Sequence, residues 1–309
     1  MASAGTFSRY LPLRCYIVIH VNEFVLTTEE YKELIHKFDL AGVEDYVLSN
    51  TRPLITLTLA QQENYQHTGN TRVAGDPDLP AHIAWPLTAN GTPMTFIAQL
   101  DLSVISQQDV QQLLPDTGVL YFFMGDVDKA YHIEHKVIYA EDKTGLKRTP
   151  APAVTVLEKE ERFTSYQLQT APSLMPPNYA YADYDELSED ESDALDDLCM
   201  HLTEGIGMIG GYPDGQHDDH YIEAAMYLVA KQKYDYLPSN ARKTLLQHFN
   251  GNQQQVDDTL SDMTMLLQID SDRQVGFTWW DAGCIHFFIQ KKDLLSKQFD
   301  NTYLSLYSS

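Results

Sequence analysis

The chain has 309 residues, 43% hydrophobic and 21% charged, which suffices for two ordinary domains or one large domain of two halves and excludes global disorder. Twenty-one Lys and Arg against 44 Asp and Glu give a formal net charge of −23, which repels phosphate backbones and argues against a nucleic-acid binder. The three cysteines, Cys15, Cys199 and Cys284, lie far apart without a CxxC pair, against a disulfide framework or a thiolate zinc site.

Residues 15–21 are apolar and β-branched, but His20, Asn22 and Glu23 cut the run short and no small-x-small cleavage pattern follows. The run therefore reads as a buried strand, and the chain as soluble and cytoplasmic, with no membrane partner. Thr27 and Glu30 form a capping-box pattern ahead of Tyr31, Leu34, Ile35 and Phe38, one helical stripe that Gly42 is expected to stop. Residues 53–59 alternate as a half-buried strand, and 61–72 read as a loop. Strands are predicted at 94–100, 119–124, 131–139 and 154–156. A short helix carrying Val110, Leu113 and Leu114 should open at Ser106 and end before Pro115. Pro-rich connections are expected at 149–152 and 172–177.

Residues 183–197 hold nine acids and no base. Their spacing lacks the Asp-x-Asp-x-Asp-Gly pattern of a calcium loop. Ser188 and Glu191 form a second capping box, and Leu195, Leu198 and Leu202 a stripe, so the acids read as the wet face of a helix.

Two blocks recur in the same order. Met94-Thr95-Phe96-Ile97-Ala98-Gln99-Leu100-Asp101 aligns with Met263-Thr264-Met265-Leu266-Leu267-Gln268-Ile269-Asp270, and 116–123 aligns with 281–288, each pair with four identities. A weaker match, Ala74-Gly75-Asp76-Pro77 with Gly210-Gly211-Tyr212-Pro213, precedes them. Gly75 to Gln99 spans 24 residues and Gly211 to Gln268 spans 57, so the second half has gained about 33. That insertion reads as helical, with Ile222, Ala225, Met226 and Val229 on one stripe and Leu245, Leu246 and Phe249 on another.

The expected fold is α+β: an internally duplicated unit of mostly antiparallel sheets with peripheral helices and pseudo-twofold halves. Its segments are an N-terminal strand-helix segment (1–50), a first half (51–160) and a second half (161–309), the two halves forming one globular domain. Strand alternation puts Thr95, Ile97, Gln99 and Asp101 on one face, and Thr264, Leu266, Gln268 and Asp270 likewise. If the twofold joins these strands, Gln99, Asp101, Gln268 and Asp270 line one cleft. Alternatively, each Gln satisfies backbone groups of the Gly-Pro loop upstream.

Gly75-Asp76-Pro77-x-Leu79-Pro80, Trp85-Pro86, Phe96-Ile97-Ala98-Gln99-Leu100-Asp101, Gly211-Tyr212-Pro213-x-x-Gln216-x-Asp218 and Asp281-Ala282-Gly283 together resemble the YwqG-like family of bacterial proteins. The resemblance covers roughly residues 50 to 300. It implies an α+β domain of unknown function, with a loose link to immunity or housekeeping proteins in toxin-rich loci, and no reaction.

His217-Asp218-Asp219-His220 is the densest set of metal-ligand types, and His132-Ile133-Glu134-His135 a second, but neither carries HExxH. Asp218-Asp219 reads better as a helix opening, and no metal or cofactor is expected. There is no GxSxG elbow, Walker loop or GxGxxG, and Cys284 aligns with Val119 as a small core residue. Trp85, Trp279 and Trp280 offer either an aromatic platform or plugs for the sheet edges. The reading is a binding module, leaning away from an enzyme, whose inter-half cleft takes an unknown protein segment or small ligand. Gln99, Asp101, Gln268, Asp270, Gln216, Asp218, Trp85 and Trp279 are its candidate contacts. The alternative is a hydrolase-like enzyme using acidic residues with a divalent metal.

Overall fold

The computed structural model describes residues 26–128 and 132–308; the predicted strand at 15–21 and the start of that at 131–139 lie outside them. The chain opens with α1 (Thr28–Lys37), whose capping box is complete: Thr27 Oγ1 accepts from Glu30 N–H, and the Glu30 carboxylate accepts from Thr27 N–H. Gly42 is not the stop. The helix ends at Phe38, Asp39 turns left-handed (φ +59°), and Gly42 sits in the following 3-10 turn. A further short helix, α2 (Glu44–Asn50), precedes the sheet.

The strands that follow are β1 (Arg52–Gln62), β2 (Arg72–Val73), β3 (Asp78–Pro80), β4 (Thr95–Asp101), β5 (Val119–Met124), β6 (His135–Ala140), β7 (Leu146–Arg148) and β8 (Tyr166–Met175). Then come α4 (Glu189–Leu202), β9 (Gly207–Gly210), and α5 (His220–Leu228), α6 (Pro238–His248) and α7 (Gln253–Asp262). The chain closes with β10 (Met263–Asp270), β11 (Cys284–Gln290), α8 (Lys291–Leu295) and β12 (Thr302–Tyr307). The segment between β9 and β10 is thus largely helical, as its stripes required.

Three expectations fail locally. The helix predicted from Ser106 starts earlier, as α3 (Leu102–Ile105), because Asp101 caps it through Ser103 N–H; the Asp109 carboxylate then ties down the N–H groups of Leu113 and Leu114. Residues 154–156 form no strand and dock through Val156 N–H on the Pro93 carbonyl and the Thr155 hydroxyl on that of Thr95. Residues 172–175 belong to β8, where Pro172 lies opposite Ile55 of β1. The other neighbour of β8, β2, pairs only with Tyr166 and Gln167, so at Pro172 one side of the strand has no ladder for a missing N–H to break.

Ten strands make one antiparallel sheet in the order β12-β11-β10-β9-β1-β8-β2-β4-β5-β6, and β3 and β7 pair separately. The sheet is strongly curled. Flat, β5 and β11 would lie about 33 Å apart at 4.7–4.9 Å per strand, yet the Phe122 and Phe287 rings are 4.9 Å apart. The two edges also touch: His135 Nε2 on β6 is 3.1 Å from Thr302 Oγ1 on β12, and Lys136 pairs with Asp300. Ile55, Leu57, Ile97, Leu120, Ile285 and Leu304 fill the inside of the curl. Outside it, α5, α6 and α7 cover the strands of the second half, and α1, α2 and α4 bury Ile35, Val47, Leu195 and Leu198 in a satellite core.

Candidate functional site

The predicted polar residues of the repeat face outward, alternating with the inward Leu100 and Ile269. Four strands separate β4 from β10, and the curl points their outer faces apart. Gln99 and Asp101 therefore do not share a cleft with Gln268 and Asp270, and each Gln instead holds the loop upstream of it. Gln99 Oε1 accepts from Asp78 N–H (2.9 Å), while its Nε2 donates to the Asn70 carbonyl (2.7 Å) and to Asp78 Oδ2 (3.3 Å). Gln268 Oε1 accepts from Asp214 N–H (3.1 Å), while its Nε2 donates to Asp214 Oδ2 (2.7 Å) and Asp270 Oδ1 (2.9 Å). Both loops turn on two successive left-handed residues, Ala74 and Gly75 (φ +55° and +74°) and Gly210 and Gly211 (φ +77° and +72°). A Cβ on Gly75 would sit 2.3 Å from the Tyr65 hydroxyl, so glycine is required there.

The charges around the two clamps differ. Asp78, fully buried, pairs with Arg72 (2.6 Å) and Arg148 (3.0 Å), and Asp101 pairs with Lys143 (2.5 Å). Met208 stands opposite Gln268, where Arg72 stands opposite Gln99. Neither Asp214 nor Asp270 has a cationic partner among the described residues. Asp214, Asp270 and Cys284 each present one ligand-type atom within 4.8 Å of the others. Burial, followed by the neighbouring Asp214, pushes the Asp270 carboxyl up to about 7, and burial also raises Asp214. Burial, reinforced by Asp270, lifts the Cys284 thiol well above its usual value. His286 Nε2 lies 3.3 Å from Cys284 Sγ, and the His286 ring is 5.2 Å from that of His220. Burial keeps both imidazoles neutral, His220 at about 4, and the Nδ1 atoms of both lack a hydrogen-bond partner.

Of the two predicted histidine clusters, only His220 reaches this centre. His217 and Asp218 are exposed, and Asp219 accepts from the Tyr234 hydroxyl (2.7 Å). His135 is engaged by Ile133 and Thr302. Gln216 is exposed. Trp85, half-buried, lies edge-on to Phe123 and donates to the Met94 carbonyl, and Trp279 is buried against Phe277. Cys284 is buried, but against carboxylates and an imidazole rather than an apolar core. The sequence aligned Cys284 with Val119 as a small core residue; its place opposite Asp270 and the absence of a cation come from the fold.

A separate cleft of about 620 Å³ opens between β1, β10 and α5 to α7. Only Asp218 of the expected contacts lines it. The walls carry Arg52, Arg242 and Lys291 beside Asp218 and Asp219, with Tyr181, Tyr221 and the Gly210-Gly211 turn. The Arg52 guanidinium lies 3.8 Å above the Tyr212 ring and 5.5 Å from that of Tyr221, and donates to the Tyr221 hydroxyl (2.9 Å). It has no carboxylate partner among the described residues. The Tyr181 hydroxyl, also buried, is unpartnered. Sequence periodicity shows the helices of this cleft but not that Arg52, from the far end of the chain, enters it.

A family model matches residues 71–307, the span that contains both Gln clamps and their loops. The chain belongs to the family described as a domain of unknown function, DUF1963. A search of curated proteins gives no match. The DUF1963 match takes in the Asp214–Asp270–Cys284 centre and most of the cleft, while Arg52 and Pro53 lie before it. Among the described residues of this DUF1963 protein, no helix is long and apolar enough to cross a membrane.

Proposed function

We propose that this DUF1963 protein is a non-enzymatic binding module whose ligand is a small anionic molecule, carboxylate- or phosphate-bearing, held in the Arg52–Lys291 cleft. The observation that carries the reading is Arg52: a largely buried guanidinium without a carboxylate partner, in a protein of net charge −23. A buried charge needs a counter-charge, and tyrosine faces supply only part of one. Lys291, whose Nζ donates to the Ser261 carbonyl (2.9 Å), and Arg242, 3.6 Å from Asp257, add positive potential to the same walls. The unpartnered Tyr181 hydroxyl offers a donor.

The scaffold of this reading is an internal duplication with pseudo-twofold halves, roughly 51–160 and 161–309. In its support, the order β8-β2-β4-β5-β6 is answered by β1-β9-β10-β11-β12 from the other end of the sheet. Bulges fall at matching places, between Phe96 and Ala98 and between Met265 and Leu267, and the Gln clamps repeat. The YwqG-like and bacterial reading is consistent with the family match, and two free, buried cysteines suit a reducing cytoplasm. An immunity-like role against a basic partner draws only on the net charge. A hydrolase-like alternative draws on the Asp214–Asp270 pair, and ester hydrolysis lost in Asp270→Asn would favour it.

A thermal-shift series with inorganic pyrophosphate, citrate and an uncharged polyol tests the proposal. The two anions should raise the melting temperature in a concentration-dependent way and the polyol should not. Equal behaviour of all three probes would contradict it.

A further inference from the structure

The two clamps bury the same loop carboxylate but differ in what neutralises it. Around Asp78, the Arg72 guanidinium sits at 2.6 Å and Arg148 at 3.0 Å. Around Asp214, the residue opposite the clamp glutamine is Met208, and a second carboxylate, Asp270, hydrogen-bonds to the same glutamine amide. On β5, Val119 and Tyr121 lie opposite Asp101 and Gln99, and the Tyr121 hydroxyl donates to the Asp78 carbonyl (2.5 Å). On β11, the places opposite Asp270 and Gln268 hold Cys284 and His286. Where the first half has a cation, an aliphatic side chain and a phenol, the second has no cation, a thiol and an imidazole.

We propose that Asp214, Asp270, Cys284 and His286 bind one divalent metal ion of the zinc class, which occupies the electrostatic place that Arg72 fills in the other half. One thiolate, one imidazole and two carboxylates form a donor set suited to a borderline-soft ion and not to calcium or magnesium. The thiol and both carboxylates are already gathered, and His286 adjoins the thiol. Ligand atoms 2.0–2.3 Å from a tetrahedral ion stand about 3.3–3.8 Å from one another; Cys284 Sγ and His286 Nε2 are already 3.3 Å apart, and the Asp214, Asp270 and Cys284 ligand atoms lie within 4.8 Å. His286 lies beside the three: fully buried, it turns Nε2 toward the thiol at 3.3 Å, while its unpartnered atom is Nδ1 on the other edge of the ring. Asp214 and Asp270 retain some exposure, which gives an ion its way in. Binding displaces the Cys284 thiol proton, and a proton from the carboxyl pair where one is held, to solvent; the metal keeps its oxidation state.

The site is distinct from the anion cleft, so the two proposals fail separately. The test is a titration of cobalt(II) into chelator-treated full-length protein, followed by the thiolate-to-cobalt charge-transfer absorption, with zinc competition. A saturating 1:1 signal displaced by zinc is expected. It should disappear in Cys284→Ser, weaken at least tenfold in Asp270→Asn, and persist in Cys199→Ser. Met208→Arg supplies the internal cation of the first half and should abolish binding while circular dichroism shows the native fold. Absence of a thiolate band in the folded wild type, or a band lost in Cys199→Ser and kept in Cys284→Ser, would overturn the proposal.

Discussion

Arg72 and Asp270 carry opposite consequences of the same act, putting charge under a loop. Arg72 has a fully buried side chain and serves Asp78 at 2.6 Å and Glu63 at 3.6 Å, and also donates to Asn70 and the Asp76 carbonyl. Replacing it by Met, the residue at the matching place opposite Gln268, leaves the buried Glu63 without a cation and Asp78 with Arg148 alone. Arg72→Met is expected to cost about 3–5 kcal/mol, read as a lower urea midpoint at unchanged slope. Asp270 has no such partner, and its folded carboxyl rises to about 7 from 3.8. The folded state then holds a proton that the unfolded state has released between those values, so this group's contribution to stability falls as pH rises from about 4 to about 7. Asp270→Asn removes that penalty. With chelator present, the stability of the variant relative to wild type should therefore grow across this window and level off above it. A difference that stays flat with pH would show that Asp270 is ionised throughout in the folded protein. Glu223, also raised to about 7, and His220, held neutral down to about 4, titrate in both proteins and cancel in the comparison.

At the scale of elements, local chemistry was legible wherever one turn of chain decided the outcome. Both capping boxes, the stripe of α4 and the strands β4 and β5 follow from spacing alone, because the capping side chain and its N–H lie three residues apart. Long-range pairing was not legible. The two-residue strand β2 carries no periodicity, yet it bridges β8 and β4. Pro172 punctuates the sequence as a turn would, and only the short reach of β2 makes it tolerable inside β8. The common face of each Gln-x-Asp pair was legible, but Ile97 and Leu266, expected on that same face, turn into the inner core because a bulge interrupts each strand there. The separation of the glutamines depended on β9, β1, β8 and β2 lying between β10 and β4, which no local pattern encodes. The expectation of a helix face holds for six of the nine acids of 183–197: Glu189, Asp190 and Glu191 occupy the first turn of α4, at the positive end of its dipole, and Asp193, Asp196 and Asp197 follow, while Asp183, Asp185 and Glu186 lie in the turns before it. Ser188 Oγ accepts from Glu191 N–H there, and Ser188→Ala should cost about 1 kcal/mol. Guanidinium melts followed by far-ultraviolet circular dichroism measure it, and an unchanged midpoint would remove the cap from the account of why so acidic a segment is helical.

Across the whole molecule, curling a ten-stranded sheet until Phe122 meets Phe287 turns its outer face into two separated surfaces. One is closed by a complete internal ion-pair set; the other, under α5 to α7, keeps both the uncompensated centre and the cationic cleft. The segment between Gly211 and Gln268 supplies these helices, and with them Arg242 and the Asp218–Asp219 rim. Arg52 reaches the cleft because β1 pairs with β9. Calorimetric titration of inorganic pyrophosphate and citrate into wild type and Arg52→Gln, at low and moderate salt, tests this most directly. At least one anion should bind wild type at a single site, weaken as salt screens the cations, and lose at least tenfold in affinity in the variant. Heats absent for both anions, or indifferent to Arg52→Gln, would contradict the cleft as the binding site.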